Sequence, residues 1–273
     1  MTSSEADRAG TAGFNSKLAG RVALVTGGTR GIGAAISRSL ANQGATVAAG
    51  YGRDKEHAEQ FLAEIKAEGV KGSIHQGNIG VGDDCRRVVA EVIAEHGSLD
   101  ILINNAGITI DKTVLNLNDS DWDKVLAVNL SGAFFLSQAA LAHMIERGTG
   151  RIVNVASTAG ERGYAYVSAY CAGKHALVGL TRALALELAT TGVTVNAVCP
   201  GYTETPLLER AVDGIVASTG RDGDAARRAL LRDNPMGRFV RPEEVASAVA
   251  WLCEPAQAAV TGRTLTVAGA EVV

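Results

Sequence analysis

Seven short runs rich in β-branched side chains alternate along the chain with stretches of helical length. The runs are Val22–Thr26, Thr46–Gly50, Ser73–Gln76, Ile101–Asn104, Ile152–Val155, Val193–Val198 and Thr264–Val267. Several are apolar throughout instead of alternating. A strand apolar on both faces is buried on both, as in a parallel sheet covered by helices. Helical stretches lie between them at Ile32–Gln43, Lys55–Glu68, Asp84–His96, Asp121–Arg147, Ala169–Thr190 and Pro242–Leu252. This order predicts an α/β, doubly wound, Rossmann-like parallel sheet with right-handed crossovers and helices on both faces.

No Pro/Ser-rich linker and no internal repeat divides the chain, so one domain is expected over residues 18–273. Residues 1–17 are small and polar and predict a disordered tail. Residues 205–233 break the rhythm: the pattern is helical, yet it carries Gly214, Gly220, Gly223 and many charges. That stretch leaves the carboxyl edge of the sheet and predicts a lid over a pocket.

The 273 residues carry 26 basic and 29 acidic side chains, and no basic tract could neutralise a row of phosphates. Nucleic acid is therefore not an expected partner. No stretch approaches ~18 uninterrupted apolar residues, so no membrane span is expected. Cys85, Cys171, Cys199 and Cys253 are scattered without CxxC spacing. They predict no disulfide framework and no metal site, and a reducing cytoplasm as the compartment.

Thr26-Gly-Gly-Thr-Arg-Gly-Ile-Gly33 follows the first strand and opens the first helix. Glycines there let backbone approach a pyrophosphate, and the helix N-terminus offers unsatisfied N–H groups to the anion. Cofactor choice falls at the end of the second strand, where the chain reads Gly50-Tyr-Gly-Arg53-Asp54. No acid closes the strand, as an NADH site would want for the ribose hydroxyls. Arg53 arrives instead, and Arg30 lies inside the glycine loop. Two guanidiniums suit a 2′-phosphate, so NADPH is expected over NADH. The competing reading gives Asp54 to the ribose, although Asp54 equally suits the N-cap of the next helix.

Tyr170 and Lys174 are four apart, hence one helical turn from each other on one face. An ammonium beside a phenol is expected to lower the phenol pKa and suit it to proton transfer. Ser157 ends the preceding strand, where its hydroxyl can reach the same substrate oxygen. A Tyr–Lys pair alone usually means one core ring and one solvated amine. With Ser157 upstream and the glycine loop present, hydride-transfer chemistry is the better reading.

These residues resemble the short-chain dehydrogenase/reductase family, from Gly20 to about Val267. The resemblance implies a seven-stranded sheet and assigns roles position by position. Thr26, Gly27, Thr29, Gly31, Ile32 and Gly33 would form the cofactor loop. Asn78 and Ile79 would meet the adenine. Asn104, Asn105, Ala106 and Gly107 would stabilise the central strand and line the adenosine ribose site. Asn129 would hold a water in a proton relay through Lys174. Ser157 would orient substrate, Tyr170 would be the general acid/base, and Lys174 would bind the nicotinamide ribose. Pro200, Gly201, Thr203 and Thr205 would fix the nicotinamide.

A homotetramer is also implied. So is a ketone or acyl-thioester substrate, because the amino half is most similar to acetoacetyl-CoA and 3-oxoacyl-thioester reductases. The lid arginines Arg210, Arg227 and Arg228 read as a solvated helix face. Two places depart from the family pattern: Gly77-Asn-Ile79 lacks the usual acid, and Val267-Ala-Gly-Ala270 lacks an acid and a glycine. The second puts the packing of the last loop in question.

The resulting expectation is NADPH-dependent reduction of a 3-oxoacyl thioester or related ketone to its alcohol. One alternative is an NAD(P)-dependent dehydrogenase oxidising a hydroxy acid or an aryl or secondary alcohol. Another is a non-catalytic dinucleotide sensor, which would be expected to lose the tyrosine or the lysine. Steady-state KM values for both cofactors test the first expectation: NADPH should be preferred, and a clear preference for NADH would overturn the Arg30–Arg53 reading.

Overall fold

The computed structural model describes residues 16–272. All seven runs are strands: β1 (Val22–Val25), β2 (Thr46–Tyr51), β3 (Gly72–Gln76), β4 (Ile101–Asn104), β5 (Gly150–Val155), β6 (Val193–Pro200) and β7 (Thr264–Val267). They pair in parallel as one sheet in the order β3-β2-β1-β4-β5-β6-β7. The helices are α1 (Gly31–Ala41), α2 (Lys55–Ala67), α3 (Gly82–His96), α4 (Asp119–Leu126), α5 (Gly132–Glu146), α6 (Ser168–Glu187), α7 (Pro206–Thr219), α8 (Gly223–Leu231) and α9 (Pro242–Cys253). The chain winds outward from β1 to β3, then returns to start again at β4 on the other side of β1. Loops leaving β1 and β4 therefore diverge, and a crevice opens above the sheet between them.

Burial on both sheet faces is visible within single strands. In β1, Ala23 and Val25 enter one core with Ile36, Leu40, Phe61 and Val245, while Val22 and Leu24 enter the other with Val88, Leu136 and Met144. The first core lies under α1, α2 and α9, the second under α3, α5 and α6. Helices α7 and α8 stand apart, sharing a small cluster of Leu208, Val212, Ala226 and Phe239.

The stretch expected as one long helix is divided. A π-helical turn over Ala127–Ser131 joins α4 to α5. The whole segment, Asp119–Glu146, has an apolar window of mean hydropathy 1.6. Here it is a core helix, with Leu136, Ala140 and Met144 fully buried. On its outer side Phe134 and Ile145 are 40% and 43% exposed. Of the expected tail, residues 1–15 lie outside the described residues, and Ser16–Leu18 form a single 3-10 turn that buries Leu18.

A buried polar chain crosses the sheet beneath the crevice. Asn104 on β4 donates to Asn154 Oδ1 on β5 at 2.8 Å, and Asn154 donates to Thr181 Oγ1 on α6 at 2.8 Å. Asn154 and Thr181 are fully shielded from solvent. Removing one partner strands the other without a bond, which costs about 1–3 kcal/mol. Asn104→Ala should lower the unfolding free energy by about that amount in urea titrations. An unchanged urea midpoint would contradict this account of the strand junction.

Candidate active site

A cavity of about 920 Å³ occupies the crevice. Its first wall is the glycine loop. Thr26 is buried at the end of β1, and its Oγ1 accepts from the backbone N–H of Asn105 and of Ala106, both at 2.9 Å. The Asn105 side chain returns a bond to the Thr26 carbonyl at 2.8 Å. Gly27 and Gly31 adopt φ +60° and +54°, a left-handed backbone that side chains resist. A Cβ on Gly33 would stand 2.0 Å from the Gly27 carbonyl oxygen, so only hydrogen fits where α1 leaves the loop. Arg30 occupies the N-cap position of α1 without making a side-chain cap bond. The first N–H groups of α1 thus lack a side-chain cap, as an anion site requires.

Arg30 and Arg53 are exposed and both border this end of the cavity. Asp54 is the N-cap of α2 and accepts from His57 N at 3.1 Å. Its carboxylate serves the helix, the capping role that the sequence also allowed. His57, which sequence reasoning missed, lines the cavity and bonds the Thr29 carbonyl through Nε2 at 3.1 Å. Across the mouth, Asn78 Oδ1 accepts from Gly80 N at 3.1 Å, and Asn78 N donates to Asp84 at 2.7 Å. The Asn78 acceptor is therefore committed to its own turn, leaving the amide nitrogen for a ligand.

The second wall is built from β5 and α6. Ser157 follows β5 with an extended backbone, and its Oγ accepts from Ala159 N at 3.1 Å. Tyr170 and Lys174 face it from α6, with Lys174 Nζ 5.5 Å from the Tyr170 ring centroid. Lys174 is 3% exposed and donates to the Val155 carbonyl at 2.8 Å. Asn129 sits in the π-helical turn. Its Nδ2 donates to the carbonyls of Ile108 and Val125, both at 2.8 Å, and its Oδ1 accepts from Ile108 N at 3.3 Å. A Cβ on Gly107 would meet Asn129 Oδ1 at 2.8 Å and Lys174 Nζ at 3.6 Å, so these three positions converge. Asn129 stands behind the cavity wall and does not line it.

Burial pushes the Tyr170 phenol up to about 12, with the Ser157 hydroxyl pulling the other way. Burial pushes the Lys174 amine down to about 8. This differs from the expectation that the ammonium lowers the phenol pKa: burial is the largest cause of the Tyr170 shift, and Lys174 is not among its causes.

The third wall follows β6. Pro200, Gly201, Thr203 and Thr205 lead into α7, where Thr205 is the N-cap, accepting from Leu208 N at 3.4 Å. The Thr205 methyl group packs at Gly31, joining the start of α7 to the glycine loop. Leu208, Arg210 and Ala211 of α7 overhang the cavity. The expected cofactor and catalytic positions line this one space except Thr26, Asn104 and Asn129, which stand behind its wall.

Glu271 is a further missed residue. It is buried, and its carboxylate accepts from the Tyr164 hydroxyl on the cavity wall. Arg162 stacks over the Tyr164 ring, 4.5 Å from its centroid, and bridges Glu271 to Asp233 after α8. Glu271 lies beyond the departing Val267–Ala270 segment, where Ala270 adopts φ +65°. It thus ties down the last loop that the sequence left in question. No local pattern signals a contact 107 residues apart in the chain.

Fold and site together define an α/β oxidoreductase. The chain belongs to the short chain dehydrogenase family, whose profile it matches over residues 21–215. It is 40% identical over 249 residues to nodulation protein G of Azospirillum brasilense, covering 91% of this chain and 97% of that protein. It is 37% identical over 247 residues to 3-oxoacyl-(acyl-carrier-protein) reductase FabG of Staphylococcus aureus, covering 90% and 96%. Among solved structures, a variant of actinorhodin polyketide ketoreductase with NADPH superposes with a TM-score of 0.87 at 40% identity, covering 91% of this chain and 96% of that one.

The buried lysine has a pH signature in stability. An unfolded lysine keeps its proton to about 10.5, whereas Lys174 releases it near 8. Between those values the unfolded chain binds more protons, so this group makes stability rise with pH. Above about 10, Tyr170 opposes it, because the unfolded phenol ionises before the folded one. Lys174→Met should therefore stabilise the ligand-free protein at pH 7 by about 1–3 kcal/mol, the advantage shrinking by pH 10. A stability difference that does not change between pH 7 and pH 10 would contradict the depressed lysine.

Proposed function

We propose that this protein is an NADPH-dependent reductase converting the ketone of a 3-oxoacyl thioester, or a related ketone, to its secondary alcohol. The observation that carries the reading is the meeting of Ser157, Tyr170 and Lys174 with an open helix N-terminus in one cavity. The residues fit the dinucleotide. The glycine loop and the uncapped α1 suit a pyrophosphate. Arg30 and Arg53 suit a 2′-phosphate, while Asp54 is engaged with its own helix. Asn78 and Ile79 would flank the adenine, and Asn105, Ala106 and Gly107 the adjoining ribose. Lys174 would hold the second ribose, with Pro200, Gly201, Thr203 and Thr205 about the nicotinamide. When bound, the nicotinamide supplies hydride to the carbonyl carbon.

The chain's own groups handle the oxygen. Ser157 and Tyr170 hydrogen-bond the substrate carbonyl. As charge develops on that oxygen, the Tyr170 hydroxyl gives up its proton. Lys174 and Asn129, converging at Gly107, would resupply that proton. A phenol held above its usual pKa stays protonated at neutral pH, the form a general acid needs. The names of the relatives support the 3-oxoacyl class. Tyr164, Val167, Tyr202 and Leu208 supply a largely apolar substrate wall under α7 and α8, which act as the lid over 205–233. Arg227 pairs with Glu209 across that lid.

We also infer a homotetramer. Phe134, Ile145 and Leu186 leave large apolar groups uncovered on one face of the sheet, and Trp251 does so on the other. Two kinds of isologous contact would bury them. The cysteines are buried and free, which suits a cytoplasmic setting.

NADPH oxidation at 340 nm should be seen with acetoacetyl-CoA and longer 3-oxoacyl thioesters, and less with free 3-oxo acids or aryl ketones. Tyr170→Phe should reduce kcat about 10²–10⁴-fold. Undiminished turnover in that variant would reject the mechanism. Arg53→Ala should raise the KM for NADPH about 10-fold or more and leave that for NADH nearly unchanged, the loss of one charge-assisted phosphate contact. Equal effects on both cofactors would remove Arg53 from the 2′-phosphate site.

A further inference from the structure

A second polar cluster lies on the sheet edge, on the helix face of β3 and away from the cavity. Ser73 and His75 are two apart on β3 and buried, and α3 packs over them. His96 is the last residue of α3. The Nε2 atoms of His75 and His96 both point at the Ser73 hydroxyl, at 2.8 and 2.7 Å. The Glu95 carboxylate spans the pair, with Oε2 3.7 Å from His75 Nε2 and Oε1 3.9 Å from His96 Nε2.

The other side of His75 is fixed as well. Its Nδ1 donates to Glu91 at 3.3 Å, and Glu91 is held by Arg87 at 2.8 Å. A carboxylate on Nδ1 keeps the proton there and leaves a lone pair on Nε2. A carboxylate bound to the far ring nitrogen in this way presents the imidazole to a metal ion. Ser73 accepts from His96 and donates to His75, so its hydroxyl holds the point where the two nitrogens converge and must turn aside about χ1 to admit an ion.

We propose that His75 Nε2, His96 Nε2 and the Glu95 carboxylate bind a divalent transition-metal ion of the zinc class. Two imidazoles and one carboxylate are a donor set for zinc, nickel or copper, not for calcium or magnesium. The three ligand atoms lie within 4.8 Å of one another. Tetrahedral zinc with bonds of about 2.0–2.1 Å needs them roughly 3.4 Å apart. The carboxylate-to-imidazole separations exceed that by only a few tenths of an ångström. Glu95 is half exposed and can swing to meet the ion, and water can take the fourth position. On binding, His96 moves its proton to Nδ1 or releases it to solvent. The ion would clamp the edge strand β3 to the end of α3. The cluster is separate from the candidate active site, so its occupancy does not depend on the reaction proposed above.

The test uses tag-free, chelator-treated full-length protein titrated with zinc chloride against a chromophoric competitor. Wild type should take up one zinc per chain and melt at a higher temperature with zinc present. Glu91→Gln should weaken uptake about 10–100-fold, as loss of an outer-shell carboxylate does. His96→Gln should abolish stoichiometric uptake while NADPH binding is retained. Glu95→Gln, at a half-exposed position, serves the same purpose should the histidine variant fail to fold. No uptake by wild type, or uptake undiminished in the His96 or Glu95 variant, would overturn the proposal.

Discussion

The hydroxyl of Thr26 is the contact on which the rest of this molecule depends. It joins the end of β1 to the start of the loop after β4, with two backbone N–H groups on one oxygen. These are the two strands where the winding direction reverses, so their loops would otherwise splay apart. Held together, they make a crevice with a fixed floor. The Asn105 side chain doubles the link by bonding back to the Thr26 carbonyl. Below, the Asn104–Asn154–Thr181 chain locks β4 to β5 and α6. The glycine loop and the Ser157–Tyr170–Lys174 group are thereby carried on one rigid frame. Catalytic geometry tolerates little error, and rigid elements supply that precision better than loops.

The site is electrostatically expensive. A lysine 3% exposed, with the Val155 carbonyl as its bonded partner, is depressed toward neutrality. A neighbouring phenol is driven the opposite way by the same burial. Strain of this kind persists where function needs it. The π-helical turn at Ala127–Ser131 belongs to the same pattern: it interrupts a long helix at the place where Asn129 must reach the Ile108 backbone.

Much of this was legible in the sequence. The seven strands follow from continuous β-branched apolar runs, and their ends fell within two residues of the observed ones because glycines and polar caps bound them. The glycine loop was legible because its three constraints, two left-handed turns and one close approach, each admit little but glycine. The Tyr170–Lys174 pair was legible because helical spacing puts them on one face. What escaped was non-local or energetic. Glu271 reaches Tyr164 from the far end of the chain, and His57 reaches Thr29 across two elements. The sign of the phenol shift depends on how deeply α6 is packed, which spacing alone cannot give. The break in the helix at Asn129 left no proline or glycine signal within the turn itself.

The central claim is that one carbonyl oxygen is gripped by Ser157 and Tyr170 while the glycine loop holds the dinucleotide. A crystal structure of the protein with NADPH and a non-reactive 3-oxoacyl thioester analogue tests it most directly. The account predicts both hydroxyls within hydrogen-bonding distance of the analogue's 3-oxo oxygen, and the 2′-phosphate between Arg30 and Arg53. An analogue bound with that oxygen facing away from Tyr170, or a dinucleotide lying outside the glycine loop, would contradict it.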